Sequence, residues 1–111
     1  MYDYNPVSNP SPLEYIEHWG PKVAIEQSSF FNCSNLKKIT ASDVPIINPD
    51  ITNLFAGCYD LTDIQNLDNW NTGNTITKLN ATFRECFSFN QDITPLVKSN
   101  VTDMTRTLSD C

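Results

Sequence analysis

The sequence predicts an α/β fold in which repeated units stack into a solenoid, with short parallel strands, short helices and an N-terminal capping helix. Three features predict it: regularly spaced cysteines, a motif repeated around them, and a helix-start signal ahead of the first repeat. The four cysteines are separated by 25, 28 and 25 residues and lie at Cys33, Cys58, Cys86 and Cys111. Zinc ligands come in pairs about two to four residues apart, so this spacing indicates an internal repeat and not a metal site.

Each of the first three cysteines lies inside the motif F-x-x-C-x-x-[LF], which spans residues 30–36, 55–61 and 83–89. Ile76, Leu79 and Phe83 recur at the spacing of a short helix, whereas LTDI at 61–64 and FNQDI at 89–93 fit brief extended segments. One helix-like and one strand-like segment therefore alternate in each unit. A unit of this size cannot bury its own apolar face, so the units are expected to stack around a shared core, with their strands paired in a parallel sheet.

The cysteines themselves allow two interpretations. In stacked units the equivalent side chains form columns about 5 Å apart, and cysteine suits a buried column because it is small and apolar. The same spacing is within reach of a disulfide bond. Parallel side chains point the same way and not at one another, so reduced core thiols are the favoured interpretation and disulfides are the alternative.

Five stretches of the chain carry a family resemblance: IEHWG at 16–20, FFNCSNL at 30–36, LFAGCYDL at 54–61, SFNQDIT at 88–94 and SNVTDM at 99–104. Together they resemble the BspA-like leucine-rich repeat family of bacterial surface proteins, over about residues 13–111. The resemblance implies a right-handed solenoid of the leucine-rich-repeat type that contacts other macromolecules, often at bacterial or phage surfaces, without catalytic residues. One departure is Pro95-Leu96-Val97, which stands where the family usually has Trp-Asp-Thr.

Three parts are predicted along the chain. Residues 1–10 have two prolines and little apolar content and are expected to form an extended arm or linker. Residues 11–20 are predicted to form the N-terminal capping helix, because Ser11, Pro12 and Glu14 fit a capping box. Residues 21–111 are the predicted leucine-rich-repeat solenoid of about three and a half units. The last unit lacks its strand, so the solenoid is expected to be truncated at the C-terminus and to have an open end there.

Composition and charge exclude several classes of function. The net charge is −6 with few basic residues, so no nucleic-acid partner is expected. No apolar stretch approaches the ~20 residues of a membrane span. The carboxylates Asp60, Asp63 and Asp68 are interpreted as solvated turn residues and not as a calcium site. The sequence therefore predicts no catalytic residue, no metal and no cofactor.

The predicted function is a non-catalytic protein-binding or adhesion module of a bacterial or phage surface protein. Its contact residues are expected on the sheet face and the flanking loops, at Thr62, Asp63, Gln65, Gln91 and Asp92. Trp70 stands in a polar stretch and is either a sixth contact residue or, as favoured, a structural plug between units. The partner is expected to be a protein or glycan on another surface. The expected location is extracellular or the cell surface, with a virion surface as the alternative.

A second function remains open at this point. The chain could instead be a structural or assembly component, for example of a virion or tail, whose open solenoid end is covered by another chain or a neighbouring subunit. This alternative predicts self-association through the C-terminal end, because uncapped ends of repeat proteins associate. Light scattering of the purified chain discriminates between the two functions.

Overall fold

Five two-residue strands and two 3₁₀ helices make up the regular structure of residues 12–111, which is the part of the chain that the structure, a computed structural model, describes. The strands are β1 (Tyr15–Ile16), β2 (Ala24–Ile25), β3 (Lys38–Ile39), β4 (Ile46–Ile47) and β5 (Asp63–Ile64). The 3₁₀ helices span Leu67–Asn69 and Thr94–Leu96. Turns and loops form the rest of the described chain.

Sheet A contains β1, β3 and β5 in that order, and its strands run parallel. Its register aligns one buried isoleucine from each strand: Ile16, Ile39 and Ile64. The residues before them form an exposed row: Tyr15, Lys38 and Asp63. Because side chains alternate across a strand, this pairing fixes which side of sheet A faces the core and which faces solvent.

Sheet B contains β2 and β4, which are also parallel. Its register pairs Ala24 with Ile46 and Ile25 with Ile47. Farther along the chain, Lys78 forms isolated parallel bridges with Asp50 on one side and Asp103 on the other. Neighbouring repeats are therefore joined by parallel backbone pairing at more than one place around the molecule.

The six residues before each cysteine form a further repeated element, which we call the pre-cysteine segments: residues 27–32, 52–57, 80–85 and 105–110. The second and sixth residues of every segment have φ between 51° and 79°: Ser28 and Asn32, Asn53 and Gly57, Ala81 and Glu85, Arg106 and Asp110. An α-helix of L-residues cannot continue through a positive φ, so these segments fold as turns.

Backbone hydrogen bonds join each pre-cysteine segment to the next one. The second, fourth and sixth residues donate their N–H groups to the carbonyls of the first, third and fifth residues of the following segment. Ser28 thus donates to the Thr52 carbonyl at 3.0 Å, and Phe83 donates to the Thr107 carbonyl at 2.9 Å. All nine such bonds measure 2.8–3.0 Å, so successive repeats lie side by side in one register.

The core is built from columns of equivalent side chains. The rings of Phe30, Phe55 and Phe83 stack in sequence, with 5.6 Å between successive centroids. Beside them, the buried Cys58 thiol donates to the Phe30 carbonyl at 3.2 Å, and the Cys86 thiol donates to the Phe55 carbonyl at 3.1 Å. No disulfide joins the cysteines. This agrees with the interpretation of the column as reduced thiols.

The predicted α/β solenoid with short helices and a capping helix is wrong. Residues 12–111 contain no α-helix, and their short parallel strands form two small sheets within a compact body of 35 × 32 × 21 Å. The stretch that begins at Ile76 has the apolar spacing of a helix, yet it forms turns. Positive φ angles at Ala81 and Glu85 interrupt any helix there.

Strand β1 takes the place of the capping helix predicted for residues 11–20. The carbonyls of Glu14 and Ile16 accept the N–H groups of Lys37 and Thr40, at 2.7 and 2.9 Å. Pairing with β3 therefore supplies backbone hydrogen bonds that a helix would make internally, and tertiary pairing overrides the local helix signal. The predicted N-cap residue, Ser11, and the predicted arm at residues 1–10 lie outside the described part of the chain.

Candidate recognition surface

The outer side of sheet A, which we call the sheet A face, carries paired charges. Lys38 Nζ lies 3.9 Å from Asp63 Oδ1, and Lys37 Nζ lies 2.5 Å from Glu14 Oε1. The hydrogen bond to Glu14 raises the pKa of Lys37. The Lys37 ammonium also lies 5.9 Å from the centre of the Tyr15 ring. Because opposite charges are paired, this face presents little net charge to a partner.

Three of the predicted contact residues lie together around β5. Asp63 belongs to the strand, and Thr62 and Gln65 flank it, all three exposed. The Thr62 hydroxyl lies 2.8 Å from the Asp63 carboxylate and 3.2 Å from the Lys37 carbonyl. The N–H of Gln65 donates to the Ile39 carbonyl at 2.7 Å. Pairing with β3 thus holds these residues in place, and their outer atoms remain available to a partner.

The other two predicted loop residues, Gln91 and Asp92, make local bonds. The Gln91 side-chain amide accepts the Ile64 N–H at 2.7 Å and donates to the Ile64 carbonyl at 2.9 Å. The Asp92 carboxylate accepts the N–H of Thr94 at 2.9 Å and its hydroxyl at 3.0 Å, and these bonds lower the pKa of Asp92. Gln91 therefore extends sheet A beyond β5, whereas Asp92 stabilises the following 3₁₀ helix.

Trp70 lies in the core and not on the surface. It is 4% exposed, and its ring centre lies 5.8 Å from that of Trp19 and 6.1 Å from that of Phe55. The ring thus fills space between repeats, as in the plug interpretation of this residue. Trp70 contributes no atoms to the sheet A face.

Two exposed aromatic residues that the sequence pattern did not indicate stack on each other ahead of β5 and after it in the chain. Tyr59 and Phe87, which we call the aromatic ridge, stack with 5.2 Å between ring centres and 12° between ring planes. Each follows a buried cysteine of the repeated motif, Cys58 or Cys86. Their position next to a buried cysteine was the sequence signal for their exposure, because a residue next to an inward-facing side chain often points outward.

The single histidine of the chain, His18, lies beside a carboxylate. No group of three or more His, Cys, Asp or Glu side chains in residues 12–111 could hold a metal ion. His18 Nδ1 lies 3.4 Å from the carboxylate of Asp43, whose oxygens also accept the N–H groups of Trp19 and Gly20 at 3.0 and 2.9 Å. Desolvation raises the pKa of Asp43, but these hydrogen bonds outweigh it and lower the pKa overall.

Two of the cysteine thiols, Cys58 and Cys86, are poor nucleophiles at neutral pH. Burial raises the pKa of Cys86 to about 12 and also raises that of Cys58. A thiol reacts as its thiolate, so these two groups stay protonated and serve packing and hydrogen bonding.

A family model described as "Mycoplasma protein of unknown function, DUF285" matches residues 23–111. The chain belongs to this family. The DUF285 match includes β2 to β5 and all four pre-cysteine segments, whereas β1 precedes it. No curated protein and no solved structure matches the chain. None of the helices in residues 12–111 has the length and hydrophobicity needed to cross a bilayer.

Proposed function

We propose that this DUF285 protein is a non-catalytic recognition module that binds a protein or glycan through the sheet A face and the aromatic ridge. The proposal rests on exposed aromatic side chains that accompany a polar face. Backbone pairing between strands holds that face in place. Tyr15, Tyr59 and Phe87 are all large, apolar and exposed. Exposed aromatic residues are enriched at the energetic centres of protein interfaces.

The aromatic ridge and the sheet A face are neighbours along the chain. Tyr59 lies three residues before Thr62, whose N–H donates to the Lys37 carbonyl at 2.9 Å, and the Lys37 ammonium lies 5.9 Å from the centre of the Tyr15 ring. The pairing of Lys37 with Glu14 and of Lys38 with Asp63 leaves little uncompensated charge. A partner therefore meets apolar rings with hydroxyl, amide and paired charged groups around them, which is the composition of a macromolecular contact surface.

The chemistry of this surface favours a protein or glycan over a polyanion. The chain has a net charge of −6, and both lysines of the sheet A face already have acidic partners. A nucleic acid requires unpaired basic groups that displace its counterions. We place this module on a bacterial cell surface or outside the cell, with a virion surface as the alternative, in keeping with the resemblance to bacterial surface proteins.

The test is a binding screen of the immobilised chain against a glycan array and an array of purified extracellular proteins. For any ligand found, Phe87→Ser and Thr62→Ala are compared with Ile46→Ser on sheet B. Ile46 is a matched control because it is 54% exposed and Phe87 is 58% exposed. We expect Phe87→Ser to weaken binding by about tenfold or more and Ile46→Ser to leave it unchanged. Equal loss in both variants would contradict the proposed surface.

A further inference from the structure

The middle of the sheet A face carries four exposed polar side chains, which we call the polar grid: Lys38, Thr40, Asp63 and Gln65. The register pairs Lys38 with Asp63, and the bond from the Gln65 N–H to the Ile39 carbonyl places Gln65 beside Thr40. Residues two apart on a strand point to the same side, so all four side chains project outward. The grid measures about 5 Å across the strands and about 7 Å along them, which is comparable to one sugar ring.

Most hydrogen-bonding atoms of the polar grid are free to meet a ligand. The Thr40 hydroxyl and the Gln65 amide make no hydrogen bond to any residue in the range 12–111. Lys38 Nζ lies 3.9 Å from Asp63 Oδ1, which is beyond hydrogen-bond length. Asp63 Oδ1 accepts the Thr62 hydroxyl at 2.8 Å, and the second carboxylate oxygen is unused among the described residues. The grid thus offers an ammonium, a carboxylate, a hydroxyl and an amide side by side.

The edge of sheet A limits which ligand fits. An extended peptide binds a sheet by adding a strand at a free edge. At the β5 edge, the Gln91 amide already accepts the Ile64 N–H at 2.7 Å and donates to its carbonyl at 2.9 Å. A peptide strand would have to displace this amide. The polar grid itself has no apolar side chain of the kind that anchors a protein partner.

An aromatic ring flanks the polar grid on its other side. Tyr15 of β1 is paired with Lys38 in the register, and its side chain is 44% exposed. A sugar has hydroxyl groups around its rim and apolar C–H groups on its faces. The C–H groups pack on an aromatic ring while the hydroxyl groups meet the polar side chains beside it. The combination of Tyr15 and the grid matches both parts of a sugar.

The charges of the polar grid favour a sugar without charge. Lys38 and Asp63 balance each other, and neighbouring sugar hydroxyls can accept from the ammonium and donate to the carboxylate. A sulfate or carboxylate on the ligand would approach Asp63 in a chain whose net charge is −6. Repulsion between like charges opposes that approach.

We propose that the polar grid binds an uncharged glycan, with one sugar ring across β3 and β5 and Tyr15 packed against its neighbour. The inference rests on the recognition function proposed above and names its ligand class. Sugar hydroxyls bond to the four grid side chains, and the protein backbone needs no rearrangement because strand pairing already holds these side chains in place.

An array of uncharged oligosaccharides, printed beside sulfated and sialylated versions of the same backbones, tests this proposal. Titration calorimetry then measures the affinity of the wild type and of variants for an uncharged glycan that binds. We expect Lys38→Met to weaken binding about tenfold or more, and Gln65→Ala about threefold to tenfold. The control is Lys22→Met, which removes an exposed lysine two residues before β2 of sheet B and should leave the affinity unchanged. Fluorescence of the buried Trp19 and Trp70 verifies that each variant is folded.

Each outcome bears on a different claim. Binding of an uncharged glycan that both grid variants weaken and Lys22→Met retains supports the proposal. Binding confined to sulfated or sialylated glycans overturns the uncharged ligand, and equal loss in Lys22→Met and Lys38→Met overturns the polar grid as the site. A protein ligand that is weakened by Phe87→Ser, with no glycan bound, overturns this inference but leaves the recognition function standing. The absence of any ligand from the glycan and protein arrays contradicts both.

Discussion

The side-chain amide of Gln91 makes two hydrogen bonds to the backbone of Ile64, accepting its N–H at 2.7 Å and donating to its carbonyl at 2.9 Å. A neighbouring strand would present one carbonyl and one N–H to Ile64, and the glutamine amide presents the same two groups. Gln91 thus takes the place of a peptide group at the edge of sheet A. The two bonds supply hydrogen-bond partners to the N–H and carbonyl groups of β5 at the edge where regular strand pairing stops.

Replacing Gln91 should destabilise the protein. Gln91→Ala leaves the partly buried Ile64 N–H and carbonyl without partners, and we expect a loss of about 1–3 kcal/mol in the free energy of unfolding. Urea denaturation followed by tryptophan fluorescence measures it. Gln65→Ala is the matched control, since the Gln65 side chain is exposed and makes no hydrogen bond to the described residues. A loss in Gln65→Ala equal to that in Gln91→Ala would refute this role of the amide.

Positive φ angles at non-glycine residues predict stabilising substitutions. Ala81 and Glu85 have φ angles of 51° and 58°. A residue with a Cβ atom is strained at such angles, whereas glycine is not. We expect Glu85→Gly to gain about 0.5–1 kcal/mol in the free energy of unfolding. Gly57, at the equivalent position with φ 79°, gives the reverse test, because a Cβ there would lie 2.1 Å from Asn32 Oδ1. Gly57→Ala should lower the thermal midpoint; a neutral result would count against the described backbone.

Stability should fall in acid because of repeated Asp-x-Thr turns. The Asp103 carboxylate accepts the hydroxyl and N–H of Thr105 at 2.7 and 3.0 Å, and these bonds lower the pKa of Asp103 to about 2. The unfolded chain, with an aspartate pKa of about 3.9, binds protons first as the pH drops. The stabilisation is therefore complete above about pH 4 and is lost toward about pH 2. Thermal midpoints between pH 7 and pH 2 measure this, and Asp103→Asn should flatten the decline.

Alkylation should distinguish the cysteines. Burial raises the pKa of Cys58, Cys86 and Cys111, but of the four cysteines only Cys111 is exposed to a reagent. We expect iodoacetamide to modify Cys111 alone in the native protein and all four cysteines in denaturant, as counted by mass spectrometry. Rapid native labelling of Cys86 would show that the thiol column is not buried. Failure to label four residues without reductant would reveal a disulfide.

The repeated motif predicted which side chains lie inside, but it did not predict the backbone between them. The spacing of Phe30, Phe55 and Phe83 indicated a buried column, and these rings do stack in the core. The helical spacing of the apolar residues did not predict the backbone correctly, because tight turns also bring residues three and four positions apart to the same side of the chain. Alanine and glutamate at positions 81 and 85 gave no sign of positive φ, which sequence signals through glycine or asparagine.

The surface was harder to predict than the core. Thr62, Asp63 and Gln65 do lie together around β5, because the LTDI stretch contains the strand that was expected there. For Trp70 the plug interpretation was favoured over a contact role, although its polar neighbours in sequence do not show that the ring lies against Trp19 and Phe55. Such contacts join residues from different repeats, and no local pattern encodes them.

Amide hydrogen exchange by NMR tests most directly the central claim, that each pre-cysteine segment is bonded to the next and not folded as a helix. We predict slow exchange at alternate residues of one segment, Asn53, Phe55 and Gly57, and at the equivalent positions of residues 27–32 and 80–85. Arg106, Leu108 and Asp110, whose N–H groups have no backbone acceptor among the described residues, should exchange fast. Continuous protection through residues 80–85, with no alternation, would indicate a helix and contradict the account.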